Sequence, residues 1–241
     1  EGMSKFVGRL ILGLLLVQAV WACSPSEEEL VEEGRNLMAA DQYPEAVKKL
    51  NAALDKNPQN YTALNAKGVA LLRLGQVDES IDVFTNAINI DTTQYQAFFN
   101  RGNAFRMLGR DNEAMMDYDY VINLKPDVVD AYLNRGAILF KYDEFDRALF
   151  DFEFALRMDP NNALLYLNKG KAELRINNSD DAIYDLKKAI EMNPGYGEAY
   201  YWLGLAELAL ENIGSGCQYL RQAEDLNFDG ASEAVAQNCM Q

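Results

Sequence analysis

Three asparagines stand 34 residues apart, each followed by a basic residue and a glycine: Asn100-Arg101-Gly102, Asn134-Arg135-Gly136 and Asn168-Lys169-Gly170. A carboxamide carries hydrogen-bond donors and an acceptor, so a row of them can grip a polypeptide backbone without reading its side chains. The basic residues have acidic companions further along, Asp117, Asp151 and Asp185. Such a pattern predicts an ion pair between two neighbouring helices, stabilising by about 0–1 kcal/mol when exposed. Elsewhere the same two places hold Glu33 and Lys49, with the sign inverted, or Leu203 and Tyr219, both apolar; Lys67 and Val83 are the exception. Arg101, Arg135 and Lys169 are therefore expected to serve the scaffold.

Composition narrows the chemistry further. The chain has no histidine, which removes the commonest general base and the commonest metal ligand. Catalysis would have to rest on carboxylates alone, so no enzyme, cofactor or metal site is expected. A net charge of −15 argues against nucleic acid or an anionic lipid surface as the main partner. No small-molecule substrate is expected either.

The 34-residue interval runs through most of the chain. Counted from Glu27, blocks begin at Glu27, Tyr61, Tyr95, Val129, Ala163 and Gly197. Position 8 of each block is glycine: Gly34, Gly68, Gly102, Gly136, Gly170 and Gly204. Position 20 is always small, from Ala46 to Gly216, and position 27 is alanine except for Val121. Position 24 is always large: Leu50, Phe84, Tyr118, Phe152, Leu186 and Leu220. Position 32 is Pro58, Pro126, Pro160 or Pro194, with Thr92 and Phe228 departing.

This pattern resembles the tetratricopeptide repeat (TPR) over Glu27–Gly230, without insertion or deletion. The resemblance implies an all-α fold, a right-handed TPR superhelix (α-solenoid) of six 34-residue helix-turn-helix repeats at 27–60, 61–94, 95–128, 129–162, 163–196 and 197–230. Residues 231–241 would add the C-terminal capping helix that repeat arrays need. Small residues at 8, 20 and 27 let helices A and B approach, large ones at 4 and 24 fill the space around them, and proline at 32 stops helix B. In this family positions 2, 5, 6, 9, 12 and 13 of helix A face the groove. Asn100, Asn134 and Asn168 would then form a row on the inner wall, similar to the asparagine ladder of the O-GlcNAc transferase superhelix; a merely solvated amide is the alternative. The same positions carry Phe99, Asn103, Leu133, Phe140, Leu167, Tyr201 and Trp202, and the cations Arg73, Arg106, Lys141, Lys171 and Arg175. Together they imply an extended peptide or protein segment with apolar anchors and some acidic groups. The carboxylate clamp that other members use on chaperone tails is not expected, because Asn103 at position 9 has Phe99, not lysine, at position 5.

The two ends add expectations of their own. Lys5 and Arg9, the apolar run Leu10–Val20 and a small residue at Ala22 describe a cleaved secretory signal over 1–22. The apolar run is shorter than the about 20 residues that a membrane span needs. Val20-Trp21-Ala22-Cys23 resembles a bacterial lipobox, which implies acylation of Cys23 and a stable lipid anchor. Residues 23–26 would be a short tether, and Ser26 with Glu29 makes a capping-box pattern. Cys217 and Cys239 resemble the ending of TPR proteins from Bacteroidota. That likeness implies a disulfide, which export permits and which would contribute about 3 kcal/mol; two free thiols are the alternative.

The function these features imply is a non-catalytic scaffold or adaptor lipoprotein. It would be lipid-anchored in a bacterial envelope, most simply at the outer membrane, and bind envelope proteins in its concave groove. Pilotin-like and outer-membrane assembly lipoproteins share that architecture. A carbohydrate-binding face on Tyr200, Tyr201 and Trp202, or a carboxylate-based enzyme, is the alternative of another class.

Overall fold

A computed structural model describes residues 24–239. The expected signal segment, the lipidation site Cys23 and the last two residues of the expected cap lie outside the described residues. Among the described residues the chain forms thirteen α-helices and no strand. Six hairpins follow one another: α1 (Glu27–Ala39) with α2 (Tyr43–Lys56), α3 (Tyr61–Arg73) with α4 (Val77–Ile90), and α5 (Tyr95–Met107) with α6 (Asp111–Leu124). Then come α7 (Val129–Lys141) with α8 (Phe145–Met158), α9 (Ala163–Arg175) with α10 (Ser179–Met192), and α11 (Gly197–Ala209) with α12 (Ile213–Asp225). A last helix, α13 (Ala231–Asn238), packs on α12. No helix among them is long and apolar enough to cross a membrane.

Local chemistry places each boundary. The first helix opens on the expected capping box: Ser26 Oγ accepts from the Glu29 N–H (3.1 Å) and the Glu29 carboxylate accepts from the Ser26 N–H (2.7 Å). Every A helix ends where position 15 turns left-handed, at Asp41, Gly75, Gly109, Asp143, Asn177 and Glu211. The next N–H returns to the carbonyl of position 11, as Gln42 to Leu37 and Arg110 to Phe105 (both 2.9 Å), satisfying carbonyls the helix leaves open. Proline at position 32 is not the only stop for helix B. Thr92 replaces it in the second repeat, yet α4 ends at the same place, because Asp91 Oδ1 accepts from the Thr93 N–H (2.8 Å) and closes a side-chain turn.

The glycines at position 8 answer to space. A Cβ on Gly68 would lie 2.4 Å from Phe84 Cε1, one on Gly136 2.6 Å from Phe152 Cε1, and one on Gly34 2.8 Å from Leu50 Cγ. The position-24 side chain of each repeat occupies that room and is 0 % exposed in all six. Successive A helices touch, α1 with α3, α3 with α5, α7 with α9 and α9 with α11, while each B helix packs on its own and the following A helix. The array therefore curls with its A helices on the inner side. At the far end a Cys217–Cys239 disulfide, Cα atoms 5.6 Å apart, ties the segment after α13 to α12.

The close approach at position 8 is testable in the second repeat. Alanine gains about 1 kcal/mol over glycine in helix propensity, but overpacking costs about 1–3 kcal/mol. Gly68→Ala is expected to lower the thermal midpoint, and to become neutral or stabilising in a Phe84→Ala background, where the new methyl enters a cavity. An equal loss in both backgrounds, followed by circular dichroism, would refute the contact.

Candidate functional site

The inner wall has two halves of different chemistry. Over the first three repeats it is polar. A cleft of about 480 Å³ is lined by Arg35, Thr62, Asn65 and Gln96 from three successive A helices, with Tyr61, Asp91 and Gln94 at its rim. Gln96 Oε1 is buried in its wall with no partner among the described residues. Asn65 also accepts a hydrogen bond from Asn100 Nδ2 (3.0 Å). One repeat on, Asn134 Nδ2 donates to Asn103 Oδ1 (3.0 Å), which also accepts from the Tyr118 hydroxyl (2.7 Å). Burial pushes that hydroxyl up to about 12, with Arg106 beside it acting the other way.

The three asparagines of the expected row differ in their hydrogen bonding. Asn100 and Asn134 are tied across repeats, whereas half-buried Asn168 has no hydrogen-bond partner among the described residues. The cause is the preceding repeat. Its positions 5 and 9 supply Asn65 to Asn100 and Asn103 to Asn134, but only Leu133 and Ala137 to Asn168.

Over the last three repeats the wall is aromatic and cationic. Trp202 meets Phe140 edge to face at 6.4 Å, and Lys171 Nζ lies 5.3 Å from the Phe140 ring centre and 5.7 Å from that of Trp202. Arg175 lies over Phe145 at 4.4 Å. The cations expected to meet a ligand already hold acids of adjoining repeats: Lys141 with Asp111 (2.5 Å), Lys171 with Glu198 (2.6 Å) and Arg175 with Asp143 (3.1 Å). Arg106 is exposed, and Phe99 is half-buried 6.1 Å from the Tyr118 ring. Leu167 is 1 % exposed, so it belongs to the seam between repeats and not to the groove. Tyr201 leans on Phe228 and stands at 88° to Trp202, while Tyr200 packs toward Tyr219. Tyr201 and Trp202 stand perpendicular and so do not form one flat stacking face.

A sequence model described as a tetratricopeptide repeat matches residues 31–95 and 167–231, a second matches 129–162, and a TPR repeat model matches 102–143. The chain belongs to the tetratricopeptide repeat family. No curated protein sequence matches it. Among solved structures it is similar to PilF of Pseudomonas aeruginosa, 16 % identical, covering 88 % of this chain and 97 % of that one, with a TM-score of 0.76. It is similar also to the C-terminal part of a TPR repeat-containing protein from Cytophaga hutchinsonii, 18 % identical over 86 % and 87 %, TM-score 0.70. YrrB, described as a TPR protein with an unusual peptide-binding site, is 18 % identical over 78 % and 97 %, TM-score 0.69. At these identities the likeness is one of fold.

The expected ion pairs between the TPR helices form; Lys49–Glu33 is exposed, but those of Arg101, Arg135 and Lys169 have buried acids. Arg101 grips Asp117 with Nε and Nη2 (2.9 and 2.7 Å) and reaches Thr85 of the preceding repeat with Nη1 (3.0 Å). Arg135 does the same to Asp151 (2.9 and 2.6 Å) and to Asp119 (2.5 Å). Each arginine thus joins three helices. The Asp151 side chain is 1 % exposed, and burial raises its pKa against the pull of Arg135. Burial alone would lower Arg135, but its hydrogen bonds to Asp151 and Asp119 outweigh that and raise it. Both move upward, for opposite reasons: burial prevails on the carboxylate, pairing on the guanidinium.

The fifth repeat departs from the others. Position 11 is Leu71, Phe105 and Leu139 in repeats two to four but Glu173 and Glu207 in the last two. Lys169 is shared by Glu173 (2.5 Å) and Asp185. One ammonium cannot neutralise two buried carboxylates, and Glu173 Oε2 has no partner among the described residues. Burial, with Asp185 adding to it against the pull of Lys169, pushes Glu173 up to about 8. This is the close pair of carboxylates that an enzyme would need, but at 2 and 3 % exposure it is sealed between helices.

Two outcomes are expected. Arg135→Met is expected to cost about 3–5 kcal/mol, by stranding Asp151, while Arg135→Met with Asp151→Leu is expected to be nearly neutral; chemical denaturation of the single and double variants checks this. Glu173 binds its proton more tightly folded than unfolded, so the stability this gives is complete below its ordinary 4.5 and lost as pH rises through about 8. No histidine titrates in that window. The thermal midpoint is expected to fall between about pH 5 and 8.5, and Glu173→Gln to flatten that fall. An unchanged profile would show that the carboxyl is ordinary.

Proposed function

We propose that this chain is a non-catalytic adaptor that holds an extended segment of an envelope protein along its inner wall, anchored to a bacterial membrane through lipid on Cys23. The observation that carries the reading is the division of that wall. Amides and a polar cleft in the early repeats suit a main chain, and rings around Phe140 and Trp202 suit apolar side chains. Asn168 stands within the aromatic half, on the same helix as Lys171 and Arg175, with its amide unused. Because Asp143 and Glu198 already neutralise Arg175 and Lys171, the reading asks for apolar residues and exposed backbone in the ligand more than for acids. YrrB, whose printed description includes a peptide-binding site, offers a parallel in fold.

The anchor and the groove separate experimentally. A photo-crosslinking residue in place of Asn168, in the full chain within its own cells, is expected to capture a protein that the same residue in place of outward-facing Asp55 does not. No adduct, or the same adducts from both places, would sink the groove reading. Cys23→Ala is expected to abolish acyl labelling and release the chain from the membrane fraction; persistent labelling would sink the anchor alone.

A further inference from the structure

The outer face carries a feature that neither the repeat nor the groove requires. Position 22 of helix B is polar in the outer repeats, at Lys48, Asp82 and Gln218, but is Met116, Phe150 and Tyr184 in the three consecutive repeats between them. These side chains are 71, 60 and 62 % exposed. The polar versions in the other repeats act as an internal control: nothing in the packing asks for an apolar residue there. The aromatics one turn further on are different, for Tyr120 stacks on Phe98 at 4.0 Å and Phe154 on Tyr132 at 4.6 Å. They complete contacts between helices, whereas at position 22 Phe150 only reaches Phe154 on its own helix, ring centres 6.4 Å apart, and stays largely exposed.

Charge identifies the occupant. One turn before Phe150 and Tyr184, on the same helix face, lie Asp146 and Asp180; Glu153 follows Phe150 on its other side. All three carboxylates are exposed and none has an ion-pair partner among the described residues. Of the cations nearby, Arg147 pairs with Glu144 (2.5 Å), Lys187 with Glu207 (3.3 Å) and Lys188 with Glu191 (2.7 Å), while Arg157 lies over the Phe154 ring (4.9 Å). Beside Phe150 a cleft of about 240 Å³ is lined also by Asp146, Arg147, Leu139 and the Arg135–Asp151 pair. Arg147 is held by Glu144 and Arg135 by Asp151, so a cationic side chain reaching Asp146 would meet an unpaired carboxylate beside the Phe150 ring.

We propose that the outer face of repeats three to five docks a basic amphipathic segment of another protein, its apolar side chains on Met116, Phe150 and Tyr184 and its lysines or arginines beside Asp146 and Asp180. A second copy of this chain would bring like charges together, and an anionic bilayer would be repelled by a chain of net charge −15. The site is separate from the groove and stands whether or not the groove reading does.

A random peptide library displayed on phage and selected on the full chain tests it. Recovered peptides are expected to be rich in lysine and arginine with spaced leucine, isoleucine or phenylalanine. They are expected to bind about ten-fold or more weakly, a hot-spot-sized loss, to a Met116→Ser, Phe150→Ser, Tyr184→Ser variant of unchanged charge. An Asp146→Asn, Asp180→Asn variant should show the same loss and keeps the test sound if the first variant folds poorly. Recovery of no peptide, of acidic peptides, or of peptides indifferent to both variants would overturn the proposal. So would wild-type self-association, or adsorption to lipid vesicles, that the first variant abolishes.

Discussion

A missing side chain sets the distance between the two helices of every repeat. Where a Cβ would stand on Gly68, the ring of Phe84 already lies 2.4 Å away, so helix A and helix B can come together only because position 8 carries hydrogen alone. Leucine, phenylalanine and tyrosine all serve as the filler at position 24, fully buried in each case. The filler varies and the void it enters does not. With one hairpin geometry used six times, the array has a regular curl, and the A helices are left together on its inner side.

Charge is subordinate to that contact. The pair at positions 7 and 23 is Arg101–Asp117 and Arg135–Asp151 in the middle, inverted as Lys49–Glu33 at the start, and apolar as Leu203 and Tyr219 at the end. One hairpin geometry accommodates all three, so the ion pair follows the packing and does not create it. This agrees with the energetics of buried pairs, in which the desolvation of two charges consumes most of their attraction. What the arginines add is reach. A guanidinium has donors to spare beyond one carboxylate, so Arg101 extends to Thr85 and Arg135 to Asp119. Lys169 has a single ammonium, and spends it within its own repeat on Asp185 and Glu173.

Repeat boundaries, hairpin contacts, the capping box at Ser26 and the pairing at positions 7 and 23 were legible in the sequence, because each is set by residues at a fixed offset within one repeat. Features set between repeats were less so. Asn100, Asn134 and Asn168 look equivalent in register, yet their freedom depends on whether the preceding A helix offers Asn65, Asn103 or only Leu133 and Ala137. The tyrosine at position 24 was the available sign that Asn103 has a second partner. The same holds for Lys171, whose acid Glu198 opens the next repeat. The left-handed turn at position 15 escaped for another reason: Asp41, Asp143 and Glu211 adopt a conformation more often given to glycine or asparagine, so composition there gives a mixed signal. Glu173 was hidden because a glutamate among leucines reads as a surface residue until its neighbours are in place.

Individuality in this chain therefore has a defined location. Positions 8, 20, 24 and 27 are occupied by the contact between helices, and changing them changes the fold. Positions 6, 9 and 12 look inward and position 22 outward, with the buried core between them, so either face can vary without disturbing the other. The aromatic half of the inner wall spans Phe140, Lys171 and Trp202, and the exposed apolar stripe spans Met116, Phe150 and Tyr184. Both pass through the fourth and fifth repeats, on opposite sides of one pair of hairpins. Those hairpins also hold the Arg135–Asp151 pair and the crowded Lys169 cluster. Under the two proposals, these hairpins would stand as a spacer between two bound segments of different chemistry.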